Sequence, residues 1–111
     1  MADELTLAFT LPGRDADVHA AWRAQPPAFL ADGGYELKDE SYDTLVYEAN
    51  VMGRGMRLLM FGTANTLYRL SITFKADAAG GTRVTLTGQA KDETREAILR
   101  YADEHGSARA G

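Results

Sequence analysis

The stretch "YRLSITFK", residues 68–75, decides the fold class. Tyr68, Leu70, Ile72 and Phe74 carry apolar or aromatic side chains, and Arg69, Ser71, Thr73 and Lys75 alternate with them. Successive side chains of a strand point to opposite sides, so this period of two gives one oily face and one wet face. Strands buried on both sides read instead as continuous apolar runs, so the alternation argues for an antiparallel sheet with one face open to water.

The same pattern recurs on both sides of that stretch. Leu5, Leu7, Phe9 and Leu11 alternate with Thr6, Ala8 and Thr10. "TLVYEANV", residues 44–51, sets Leu45, Tyr47, Ala49 and Val51 against Thr44, Val46, Glu48 and Asn50. Tyr35 and Leu37 open a further strand in "YELKDES", with Ser41-Tyr42-Asp43 as the turn between the two. After the turn "DAAGG", residues 77–81, Val84 and Leu86 alternate with Arg83, Thr85 and Thr87.

Two segments follow a helical period. Pro12-Gly13 ends the first strand, and Asp15 fits a helix N-cap with Asp17 in the first turn, where an acid complements the helix dipole. Val18, Ala21, Trp22 and Gln25 then share a face. Pro26-Pro27 stops this helix, Pro27 opens a second short turn through Phe29 and Leu30, and Gly33-Gly34 closes it. Near the end, Thr94, Ala97, Ile98, Tyr101 and Ala102 form a stripe in a helix from about Lys91 to Glu104, stopped by Gly106. The order predicts an α+β domain over residues 1–105, β-α-β-β-β-β-α, with a curved antiparallel sheet of about five strands and helices on one face. "SARAG" has nothing to bury, so residues 106–111 are expected to be a flexible tail.

"DADVHAAWRAQPPAFLADGGYEL" and "GGTRVTLTGQAKDETREAILRYADEHG" carry a resemblance. A strand, a broken helix feeding further strands and a long final helix resembles the TATA-box-binding-protein-like architecture, which also underlies the larger helix-grip (START-like) binders of lipids and small molecules. The resemblance looks like that of a small bacterial member, and it implies a ligand groove between sheet and helices. It carries no family site residue onto this chain.

Composition narrows the chemistry. The 111 residues include no cysteine, which removes disulfides, thiolate metal sites and cysteine nucleophiles. The start "MADELTLAF" lacks the basic flank of a signal peptide and reads as cytoplasmic, and no apolar run reaches the length of a membrane span. His19 and His105 are the only histidines, too few to anticipate a metal or cofactor site. Ser41, Ser71 and Ser107 stand in no nucleophile elbow, and "GRGMRL" places Leu58 where a dinucleotide fingerprint needs glycine. No acid, base and nucleophile cluster, so a non-enzymatic role is expected.

Charge is unevenly spread: residues 1–50 carry ten acids and three bases, and residues 51–91 carry one acid and six bases. The simplest reading is neutralisation across neighbouring strands. Arg69, Lys75 and Arg83 on an aromatic-free wet face of an acidic chain argue against nucleic acid as a partner.

Residues 52–61 stand apart, with Met52, Met56 and Met60 among Leu58, Leu59 and Phe61 and beside Arg54 and Arg57. Methionine adapts to varied partners. The stretch reads as an insert between two long strands, able to form a helical turn or a short strand. Two functions follow as expectations. One is a groove for a small apolar ligand or lipid, lined from Trp22, Tyr47, Met56, Leu59, Met60, Phe61, Tyr68 and Tyr101; the other is a protein interaction module, a homodimer through the insert.

Overall fold

The computed structural model describes residues 4–50 and 67–110. In chain order these form β1 (Glu4–Leu11), α1 (Asp15–Ala24), α2 (Ala28–Asp32), β2 (Tyr35–Glu40), β3 (Thr44–Asn50), β4 (Leu67–Ala76), β5 (Thr82–Gln89), α3 (Asp92–His105) and β6 (Ser107–Ala110). The class is α+β, as the alternation predicts. The strands make one antiparallel sheet in the order β2-β3-β4-β5-β1-β6.

Register converts the alternating sequences into layers of core. Leu45 on β3 stands opposite Ile72 on β4, Ile72 opposite Leu86 on β5, and Leu86 opposite Leu7 on β1. A second layer runs Phe74, Val84, Phe9 along β4, β5 and β1. All seven side chains are buried. Each contributes roughly 1.5–3 kcal/mol through removal from water. In a third layer Gly88 faces both Leu70 and Leu5, with φ +145°; a Cβ there would lie 2.0 Å from the Arg69 carbonyl oxygen, so only glycine fits.

The helices cover this apolar face. Val18 and Trp22 of α1, Phe29 and Leu30 of α2, and Ile98 and Ala102 of α3 are buried against it. Helix α1 begins one residue away from the expectation: Arg14 occupies the N-cap position without a side-chain cap, and Asp15 lies in the first turn with Asp17. Both acids therefore act through the helix dipole and not through a capping bond. Gly106 ends α3 in extended conformation, not left-handed. It must be small because a Cβ would lie 2.7 Å from the Phe9 ring.

The other face of the sheet is open. Arg69 of β4 pairs with Glu48 directly opposite on β3, at 2.7 Å, and Lys75 meets Asp43 at 3.7 Å. The acidic first half and the basic segment after it thus meet across neighbouring strands.

The sheet has six strands among the described residues, against about five anticipated, and the sixth is Ser107–Ala110, within the segment expected to be a tail. Its four side chains are all exposed, so burial does not hold it. It is held by main-chain pairing with β1, by Arg83 Nη1 donating to the Ala108 carbonyl oxygen at 2.6 Å, and by an Arg109–Asp103 ion pair at 3.0 Å.

Candidate ligand groove

The apolar face contains a cluster of rings where α1, α2 and α3 converge. Trp22 meets Tyr101 at 5.6 Å between centroids, Phe74 at 5.4 Å and Phe29 at 6.0 Å, each edge to face. Tyr101 in turn meets Phe29 at 5.5 Å and Phe9 at 6.1 Å. Such pairs add about 0.5–1.5 kcal/mol each beyond burial. The positions follow from helical spacing: Val18 and Trp22 are four apart on α1, and Tyr101 and His105 are four apart on α3.

Along one flank of this cluster, between α1, the end of α3 and the β1–α1 turn, runs an open groove of about 400 Å³. Leu11, Pro12, Val18, Ala21, Trp22 and Tyr101 form its mostly apolar wall, and Asp17 and His105 stand on it as polar groups. The His105 ring lies tilted over Tyr101 at 4.5 Å. Burial pushes the Tyr101 phenol up from its ordinary value, and a hydrogen bond with the Trp22 indole pulls it partly back.

A second, smaller cavity of about 140 Å³ lies at the opposite end of α3. Asp32, Gly33, Tyr35, Ala49, Tyr68, Lys91, Glu93 and Thr94 line it. The Tyr35 hydroxyl donates to the Gln89 carbonyl oxygen beside it.

The residues anticipated as one lining are therefore divided. Trp22 and Tyr101 come together at the groove, and Tyr68 lies at the small cavity. Tyr47 belongs to neither: it is 2% exposed, and its hydroxyl is buried without a hydrogen-bond partner among the described residues. Burial raises its pKa; Arg23 opposes that shift and Glu40 reinforces it. Those two side chains pair with each other at 2.9 Å. Met56, Leu59, Met60 and Phe61 lie outside the described residues.

Sequence reasoning did not assign Leu11, Pro12, Val18, Ala21, Asp17 and His105 to a site. The signal for half of them was present. Val18 and Ala21 share the Trp22 stripe, and His105 follows Tyr101 by one turn.

Other chemistry has little to build on. His19 packs edge-on against Phe74 at 5.4 Å, with Nε2 buried and without a hydrogen-bond partner among the described residues. Among the described residues, no group of three His, Cys, Asp or Glu side chains could hold a metal ion, and no helix is long and apolar enough to cross a membrane. In comparisons with known proteins, no family model, no curated protein and no solved structure matches the chain.

Proposed function

We propose that this chain is a non-enzymatic binding domain that takes a small apolar ligand or lipid tail in the groove between α1 and α3. The observation that carries the reading is the groove wall of Leu11, Val18, Ala21, Trp22 and Tyr101, an apolar surface with only two polar groups on it. Small-molecule sites have this composition, with volumes of roughly 300–1,000 Å³. The groove also lies between helices that cover one face of a sheet, where the helix-grip resemblance places a ligand.

Trp22 is the only tryptophan, so its fluorescence reports the groove without a label. Titration with a medium-chain fatty acid and with its alcohol should shift and saturate that emission. Ala21 lines the groove yet is exposed, so Ala21→Glu blocks the site while leaving the core intact. The expected result is binding weakened at least about ten-fold, the equivalent of 1.4 kcal/mol, with an unchanged melting temperature. Saturable emission changes that survive Ala21→Glu would reject the groove as the site.

A second reading is an interaction module that dimerises through residues 52–61. It is favoured by the three methionines and two arginines in that stretch and the absence of any acid there. Light scattering on the wild type and on Phe61→Asp separates it from the first: conversion of a dimer into a folded monomer supports it, and a monomeric wild type removes it.

A further inference from the structure

We propose that the occupant of the groove is a cationic amphiphile, an alkyl or aryl amine bound with its apolar body against Trp22 and its ammonium beside the Asp17 carboxylate. The inference rests on the groove reading and adds the chemistry of the head group. It starts from the way helical spacing sorts the wall. Asp17 and Ala21 stand four apart on α1, as do Tyr101 and His105 on α3, so each pair forms a row along its helix. In the first row the acid precedes the apolar residue, and in the second the imidazole follows the ring.

Chain direction brings the two polar groups to one end. Helix α1 starts just after Pro12-Gly13, so Asp17, in its first turn, stands near the end of β1. Helix α3 finishes at the same place. Its closing residue Gly106 approaches β1 so closely that a Cβ would lie 2.7 Å from the Phe9 ring and 3.1 Å from the Thr10 carbonyl oxygen. The groove is therefore apolar along Ala21, Trp22 and Tyr101 and polar where Asp17 and His105 stand. A molecule matched to that division has a chain or ring at one end and a polar head at the other.

Side-chain charge selects the head. The two helix dipoles offset each other here, since α1 presents its positive end and α3 its negative one. The Asp17 carboxylate is exposed and makes no ion pair or hydrogen bond among the described residues. Asp15 adds to it from the start of α1, and Asp103 and Glu104 from the end of α3. Against these acids stand Arg14, at the N-cap of α1, and Arg109, already paired with Asp103. A carboxylate or phosphate head meets like charge there. A hydroxyl can donate to Asp17, and an ammonium both donates and carries the opposite charge, which makes the stronger bond.

The test uses three probes that share one chain and differ in the head: octylamine, octanol and octanoate, titrated against Trp22 emission at about pH 8, where the amine and the acid are both charged. Octylamine should bind about five-fold more tightly than octanol, and octanoate the most weakly of the three. Asp17→Asn should bring octylamine to within about two-fold of octanol while octanol keeps its wild-type affinity. Glu36→Gln removes the same charge from exposed β2, at the far border of the sheet, and should leave the order intact. Equal affinities for octylamine and octanol overturn the proposal and leave the groove reading standing. So does a preference that Glu36→Gln lowers as much as Asp17→Asn, which would trace it to net charge, and so does an order led by octanoate. Octanol that fails to bind, or that binds Ala21→Glu as well as the wild type, overturns both.

Discussion

Strand β1 has two neighbours that were made in different ways. On one side β5 matches it residue for residue and shares its buried leucines and aromatics; on the other β6 matches it at two positions and buries no side chain. Both are antiparallel strands by pairing, yet only the first is built by the hydrophobic effect. The contrast shows that a ladder of main-chain bonds can exist without a core beneath it, held by a cation from two strands away.

That contrast can be attacked in order of expected effect. Phe9→Ala removes a fully buried ring from the β1–β5 side. It should cost about 3–5 kcal/mol by urea denaturation. Gly106→Val strikes where the two sides meet, since its side chain would overlap the Phe9 ring. Its expected cost is about 1–3 kcal/mol from overpacking, and the C-terminal amides should lose protection in hydrogen exchange. Arg83→Ala removes the bond to Ala108 and one to the Thr10 hydroxyl but no buried ring, so global stability should fall by less than about 1 kcal/mol while the Ser107–Ala110 amides exchange far faster. A comparable loss for Phe9→Ala and Arg83→Ala would erase the distinction.

The smallest effect is a pH dependence at the same corner. The Asp77 carboxyl is held below its ordinary value of 3.8, first by the Ala79 amide, then by the Thr10 hydroxyl, with Arg83 nearby. The unfolded chain then binds more protons than the folded one just below that ordinary value. The contribution of Asp77 to stability is therefore full above it and lost as pH falls through the lowered folded value. Urea midpoints measured from about pH 5 down to about pH 2 should fall less steeply for Asp77→Asn than for the wild type. At the alkaline end the sign reverses. The Tyr47 and Tyr101 phenols are raised above 10.0, so their contribution is present below that value and fades as pH climbs past it.

The sequence made the buried half of the molecule legible because burial is periodic. Leu70, Ile72 and Phe74 announce a strand, and Trp22 and Tyr101 stand on helical stripes, so their meeting in the core required only that both helices cover one face. Strand β6 was not legible for the opposite reason. Nothing in "SARA" repeats, since it is bound through atoms that every residue possesses and through Arg83, which lies 25 residues from its acceptor. The groove was half legible. Trp22 and Tyr101 were anticipated, but alternation and helical stripes do not show which flank of a ring cluster stays open. Tyr47 lies in the filling and at neither cavity, a distinction that apolar periodicity does not carry because it marks a side chain only as inward-facing.

The register shift between Leu37 and Asp39 has a further consequence at the opposite border of the sheet. There β2 presents Glu36, Lys38, Asp39 and Glu40, all exposed, on a backbone kinked out of line. A border both charged and crooked repels an incoming strand. Among the described residues, the β2 border of the sheet is therefore guarded against edge-to-edge association.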